Sequence, residues 1–375
     1  MSGMLVSKKT IVVSAVNLNA GGTLTILRDC LRYLSVLAEA GNYRVVALVY
    51  KQKLADYPNI EYMETQWPKK MWINRLWFEY VLARKISKQI GPVYLWLSLH
   101  DTTPNVVAER RAVYCHSPFP FYRWKWREWF LTPKIVLFAL FSRFIYQKGI
   151  YKNDVIIVQQ QWLKDAFKVL FSLATDKIVV AVPEAKSDMP ENTNRQKQGE
   201  EYMFMYAASP NSHKNYECIC QAVEILKKEG VSNFKVYLTV KGQENEYAKW
   251  LFKNWGHLSA LNFVGFMDRS ALFGYYAICN CLIFPSKVET WGLPISEFST
   301  FQKPMLLADL PYAYETAGGT EDVAFFDPDR PEILAWQMRQ LVHGDVSFLR
   351  TVPSQPIEAP VAHSWNELFH ILLQP

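Results

Sequence analysis

The chain has 375 residues, half of them hydrophobic and a fifth charged. That composition excludes a disordered or fibrous protein and leaves room for about two globular domains. The formal net charge of +6 is too mild to argue for nucleic-acid binding, but it suits an anionic ligand or an anionic membrane surface.

Six cysteines, Cys30, Cys115, Cys218, Cys220, Cys279 and Cys281, form no C-x-x-C pair, and no histidine is spaced to complete a zinc site. They read as small hydrophobes in a reduced, cytoplasmic protein. Lys8 and Lys9 precede an apolar run of only six residues, 11–16, with no small-residue cleavage site after it, so no signal peptide is expected. The longest apolar run, 135–141, falls far short of the roughly 20 residues a membrane span requires. A chain that does not cross a membrane is expected.

In chain order, the run 11–16 suits a buried strand. Leu24, Leu27, Leu31, Leu34 and Ala38 follow at helical spacing. Further strands are expected at 43–50, 94–99, 112–115, 155–159 and 178–182. The polar stretch 186–201, nearly free of apolar residues, breaks the pattern and reads as a linker. Strands resume at 202–207, 236–240, 262–266, 281–284, 305–308 and 324–326, with Ile219, Ala222, Val223 and Leu226 on a helix among them. Asp329 with Glu332 resembles a cap opening the next helix, and 364–373 reads as a short terminal helix. Strands alternating with helices predict an α/β fold with parallel sheets. Two Rossmann-like domains, 1–185 and 200–355, are expected to face each other across a cleft, with a helix in 360–375 packing back on the first. Ligands then bind outside the carboxyl ends of the strands.

Four places there carry chemistry. Asn19-Ala-Gly-Gly-Thr23 follows the first strand; Gly21 and Gly22 allow close backbone approach, and the helix start favours an anion. A tight strand-to-helix turn explains the same residues. After the run 281–284 come two carboxylates eight apart, Glu289 on a loop and Glu297 on a helix that Pro294 can open. The amides near Trp291 to Leu293 suit a phosphate or sugar; two solvated glutamates are the plainer alternative. Ser209 to Asn215, containing Lys214, follows the first strand of the second half. His116 follows the run 112–115, and Asp101 ends another strand, where it suits an acceptor hydroxyl. Asp327-Pro-Asp329 reads as a turn and cap rather than a metal site.

The segment Phe284-Pro-Ser-Lys-Val-Glu-Thr-Trp-Gly-Leu-Pro-Ile-Ser-Glu297 resembles the E-x7-E signature of glycosyltransferase family 4, the retaining group 1 glycosyltransferases of GT-B fold. Phe263-Val-Gly265, Lys303-Pro304 and Glu315-x-x-Gly318-Gly319 resemble the family too. The resemblance implies that Glu297 binds the nucleotide ribose, that Glu289 lies beside the donor sugar, and that Lys214 neutralises the diphosphate. It gives His116 a place facing the sugar and puts Gly21, Gly22, Thr23, Ser209 and residues 290–293 around the donor. The family arginine is missing, with Ala208 and Ser209 near its place and His213 a stand-in. The implied reaction moves a sugar from a UDP- or GDP-sugar, used as substrate with no cofactor or metal, to an acceptor hydroxyl. A lipid-linked saccharide in surface-polysaccharide or O-antigen assembly fits as acceptor. A sugar-nucleotide epimerase and a non-catalytic nucleotide-sugar-binding scaffold share the same architecture and stay open.

Residues 119–152 interleave aromatic rings with Arg123, Lys125, Arg127, Lys134, Arg143, Lys148 and Lys152. That mixture suits peripheral contact with an anionic membrane, at the inner face of the cell membrane. An aromatic helical face packed in the core is the alternative, and no nucleic-acid partner is expected.

Overall fold

The computed structural model describes residues 8–183 and 201–374; residues 186–200 of the expected linker lie outside them. The chain divides into two compact units. Met1–Ser117, Phe141–Glu184 and Ile357–Pro375 make the first, and Pro118–Leu140 with Ala185–Pro356 the second.

The strands are β1 (Lys9–Ala15), β2 (Tyr43–Val49), β3 (Ile60–Glu64), β4 (Val93–Ser98), β5 (Arg110–Tyr114), β6 (Val155–Val158), β7 (Ile178–Ala181), β8 (Tyr202–Tyr206), β9 (Phe234–Leu238), β10 (Leu261–Phe263), β11 (Cys281–Phe284), β12 (Met305–Ala308), β13 (Val323–Phe326) and β14 (Val361–Ala362). The helices are α1 (Gly21–Glu39), α2 (Trp67–Lys70), α3 (Trp72–Trp77), α4 (Ala83–Ile90), α5 (Glu128–Leu131), α6 (Pro133–Gln147), α7 (Gln161–Phe171), α8 (Tyr216–Lys228), α9 (Glu246–Trp255), α10 (Arg269–Ile278), α11 (Leu293–Ser299), α12 (Pro311–Thr316), α13 (Pro331–Val342) and α14 (Trp365–Leu373).

The first sheet runs β3-β2-β1-β4-β5-β6-β7-β14 and the second β10-β9-β8-β11-β12-β13. The strand pairs in both are parallel. Both orders grow outward in two directions from a central pair, the doubly wound arrangement expected when each crossover helix returns right-handedly. The central strands read as continuous apolar runs because helices cover both faces: β4 (VYLWLS) and β11 (CLIF) are buried at every position.

One face of the first sheet packs on Leu27, Cys30, Leu31 and Leu34 of α1, joined by Leu368, Phe369 and Leu372 of α14. The helix α14 thus completes the core of the first unit. The opposite face packs on Phe78, Ala83 and Ile86. Ser364 caps α14 by accepting the Glu367 amide at 3.1 Å. All six cysteines are free and buried, and no helix among the described residues is long and apolar enough to cross a membrane.

Several details depart from the sequence reading. β3 is an edge strand whose residues are half-buried or exposed, so it lacks the apolar signal of its neighbours. β10 stops at Phe263, and Gly265 beyond it has a φ of +82°. The expected cap at Asp329 is not one: α13 is preceded by Arg330 with no side-chain cap. Asp327 Oδ1 instead accepts the Asp329 amide at 2.9 Å in a local turn, and the Asp329 carboxylate pairs with Lys125 at 2.7 Å.

Candidate active site

The first sheet reverses its order at β1/β4 and the second at β8/β11. A ligand crevice is expected outside the carboxyl ends of such strands; Gly21, Asp101, Lys214 and Glu289 follow these strands, and His116 follows the neighbouring β5.

In the first unit, Gly21 opens the 19-residue α1 with a φ of +64°. A Cβ there would meet nothing within 4 Å, so the glycine answers to backbone conformation rather than crowding. Ala20, at the N-cap, offers no side-chain acceptor, which leaves the amides of Gly21, Gly22 and Thr23 at the positive end of the helix uncapped by it. The Thr23 hydroxyl donates back to the Ala20 carbonyl at 3.1 Å.

His116 and Asp101 come together. Asp101 sits in the left-handed region, φ +65°. Its Oδ1 accepts the His116 amide at 2.6 Å, the Ser117 amide at 3.0 Å and the Tyr146 hydroxyl at 2.7 Å. That oxygen therefore anchors the turn after β5. The His116 ring stacks on Tyr114, centroids 4.5 Å apart, and its buried Nε2 has no partner among the described residues. Burial lowers its pKa, against the pull of Asp101, so the ring is neutral at pH 7 and Nε2 is left for a ligand hydroxyl.

Sequence reasoning missed a buried cluster beside these residues. His100 Nδ1 accepts from Arg75 Nη2 at 2.9 Å, so its Nε2–H donates to Ser14 Oγ at 2.9 Å. Arg75 Nε also donates to Glu79 Oε1 at 2.9 Å. Burial raises the Glu79 pKa to about 7, with Arg75 pulling the other way. The cluster ties β1 to the end of β4. Its only sequence signal was an arginine and a glutamate four apart.

In the second unit, two loops are laced together. The turn Ser212–Lys214 follows β8, and Tyr206 donates to the Lys214 carbonyl at 2.7 Å. Lys287 N donates to the His213 carbonyl at 2.8 Å, and Asn215 Nδ2 reaches the Pro285 carbonyl at 3.1 Å. This lacing brings Lys214 Nζ onto Glu289 Oε1, a pair with both side chains largely out of solvent. Ser209, exposed, takes a bond from Asn211 at 3.0 Å.

Gly292, φ +86°, ends the loop and precedes α11. A Cβ there would press Ile295 Cδ1 at 3.2 Å, so both conformation and space favour glycine. Trp291 Nε1 donates to Ser296 Oγ at 3.2 Å, and the Trp291 carbonyl accepts from Thr316. Thr290 is half-buried, and Leu293, the first residue of α11, is exposed. Glu297 lies on α11 with Arg269 Nε at 3.6 Å. Burial raises the Glu297 pKa, and Arg269 opposes it.

His213 does not stand in for the missing arginine. Burial, then Lys214 and Lys287, hold its pKa well below the usual histidine value, so it carries no charge at pH 7. Sequence reasoning also missed how this site is fastened. Residues 118–140 pack with the second unit. Lys287 Nζ, nearly buried, lies 3.1 Å from Glu128 and 3.7 Å from Glu217. Tyr122 donates to Glu128, Thr132 and Ser212 share a hydrogen bond at 2.7 Å, and Phe119 meets His213 edge-on. No group of three or more metal-ligating side chains occurs among the described residues.

Residues 189–352 match the family model described as glycosyl transferases group 1. The O-antigen chain mannosyltransferase RfbU of Salmonella typhimurium is 22% identical over 264 residues, 69% of this chain and 67% of RfbU. The serotype-specific mannosyltransferase WbdA of Escherichia coli is 26% identical over 164 residues, 43% of this chain but only 20% of WbdA. The structure of HepE from Anabaena in complex with UDP-glucose superposes with a TM-score of 0.65 over 92% of each chain, at 12% identity. Residues 189–352 thus resemble the group 1 glycosyltransferases, and the two-sheet α/β fold is the one seen in solved glycosyltransferase structures.

Proposed function

We propose that the protein transfers a sugar from a UDP- or GDP-sugar to an acceptor hydroxyl with retention at the anomeric carbon and without a metal. The observation that carries this reading is the Lys214–Glu289 pair, with Glu297 on the following helix, at the order reversal of the second sheet. A diphosphate exchanges for Glu289 as the anion beside Lys214, and the freed carboxylate accepts from donor-sugar hydroxyls. Glu297, as an acceptor-only carboxylate, suits the two hydroxyls of a ribose. The anomeric C–O bond to phosphate breaks, a C–O bond to the acceptor forms, and the acceptor proton leaves on the departing phosphate oxygen. Lys214 lowers the barrier by meeting the charge that develops there. Neutral His116 hydrogen-bonds a sugar hydroxyl.

The similarity to the O-antigen chain mannosyltransferase RfbU and the serotype-specific mannosyltransferase WbdA supports a saccharide acceptor in surface-polysaccharide assembly; we extend this to an acceptor carried on lipid at the cytoplasmic face of the membrane. The exposed Trp126, Phe130 and Phe144 support peripheral contact through residues 119–152. Within that stretch Lys125 and Arg127 face Asp329 and Glu217 inside the second unit.

The test is thermal stabilisation by UDP, GDP and their sugars, with turnover measured alongside. A base-selective shift that Glu297→Ala loses is expected, together with a drop in turnover on the order of a hundredfold in Lys214→Met. No shift with any nucleotide would sink the reading; binding without transfer to any acceptor would leave the scaffold.

A further inference from the structure

α3, the π-helical turn Phe78–Leu82 and α4 run on without a break from Trp72 to Ile90, and the first part of this helix is turned inside out. Its polar residues point inward: Arg75 and Glu79 are buried against His100. Its large apolar residues point outward: Ile73 is 67% exposed and Trp77 57%, with Trp72 and Leu76 beside them. Trp67 and Met71, on and just after α2, extend the same exposed set. An ordinary surface helix has the opposite polarity.

The inward cluster explains why the helix keeps this orientation. Rotating the apolar face inward would pull Arg75 and Glu79 together off His100 and Thr102, leaving buried polar groups without partners. The orientation is therefore held from the inside, at the cost of a large apolar patch facing out. Such a patch marks a docking surface.

The charge around it indicates which surface. From Thr65 to His100 the sequence holds six basic residues, Lys69, Lys70, Arg75, Arg84, Lys85 and Lys88, and one acid, Glu79. That acid is buried, while Lys70, Arg84, Lys85 and Lys88 are exposed. A second copy of the chain docking face to face would set these cations against themselves. An anionic bilayer accepts both the cations and the rings, because indole settles at the headgroup level with its apolar body buried.

We propose that α2–α3 of the first unit is an interfacial docking surface for an anionic lipid bilayer, with its outward orientation locked by the Arg75–Glu79–His100 cluster. Lys69 reaches the Asn19 side chain, so the surface adjoins the loop that leads into Gly21. On the transferase reading proposed above, with the acceptor received by the first unit, an acceptor held in the membrane meets that loop directly.

The experiment is co-sedimentation of the full chain with phosphatidylcholine vesicles containing or lacking phosphatidylglycerol, with the oligomeric state measured in parallel. The wild type is expected to bind only the anionic vesicles. Ile73→Ser with Trp77→Ser, and separately Lys70→Glu with Lys85→Glu, are expected to lower partitioning at least tenfold, whereas Trp126→Ser with Phe130→Ser leaves the α3-dependent part in place. Wild-type partitioning in the Ile73/Trp77 variant overturns the proposal, as does equal binding to neutral vesicles. So does a wild-type dimer that this variant turns into monomer, since a second copy would then be the occupant. Nucleotide-sugar stabilisation, read on the same samples, keeps the two readings apart: its absence in every sample with vesicle binding intact removes the transferase reading and leaves the surface.

Discussion

At the scale of single residues, the candidate site depends on which groups are charged. Glu297 is useful to a ribose only as a carboxylate, and burial raises its pKa despite Arg269. Nucleotide diphosphate affinity is therefore expected to weaken on acidification at a pH above that of an ordinary glutamate. Titration calorimetry across that range should show the inflection in the wild type. Glu297→Gln should bind weakly at every pH with no inflection, and an inflection that survives in this variant would remove the assignment. Glu79 carries a second pH effect. Its pKa of about 7 lies above the unfolded value, so its contribution to stability is complete below about pH 4.5 and is lost as pH rises through about 7. Glu79→Gln should thus match the wild type near pH 5 and exceed it by on the order of 3 kcal/mol near pH 8. Urea unfolding at the two pH values measures the gap, and a constant gap would mean that Glu79 is ionised throughout.

At the scale of elements, the segment from Phe119 to Thr132 shows how chain order misleads. Its aromatic and basic residues suggest a surface stretch, yet Tyr122, Glu128 and Thr132 are spent on the second unit. Lys287 is the centre of this contact. Replacing it with methionine leaves Glu128 and Glu217 facing each other in a buried place, at a cost of about 3–5 kcal/mol. Lys287→Met with Glu128→Gln removes charge of both signs and should recover part of that loss. Chemical unfolding of the two single variants and the double variant reads the coupling. Additive losses would mean that Lys287 and Glu128 act independently. The loop between β11 and α11 was legible as a motif because its Gly292, Pro294 and two glutamates have fixed backbone and charge roles. The Glu128–Lys287 pair was not legible, since the partners lie 159 residues apart and neither occupies a distinctive local pattern.

At the scale of the whole molecule, two parallel sheets share the same winding, the first recruiting β14 from the far end of the chain, and each places candidate residues at or beside its own order reversal. The terminal helix is part of this architecture. Phe369 and Leu372 on α14 are fully buried in the core of the first unit, and Tyr94 donates to the Leu373 carbonyl at 2.8 Å. Phe369→Ala is expected to cost about 3–5 kcal/mol. Hydrogen exchange should show the loss in β1, β4 and α1 while β8 and β11 keep their protection. Equal loosening of both sheets would mean that the two units unfold as one.

The sequence by itself determined the strand–helix alternation, the two-sheet α/β class, and the post-strand loops and helix starts where Gly21, His116, Lys214, Glu289 and Glu297 sit. Those features follow from local periodicity, from glycine and proline geometry, and from the position of a residue just after a buried strand. The tertiary structure decided what depends on neighbours distant in sequence. It set Lys214 on Glu289, left His213 neutral, spent Asp101 Oδ1 on a turn, and left α13 without a side-chain cap from Asp329. It also turned α3 apolar side outward. Helical periodicity marks an apolar stripe but does not say which way the stripe faces; here the burial of Arg75 and Glu79 against His100 settles it.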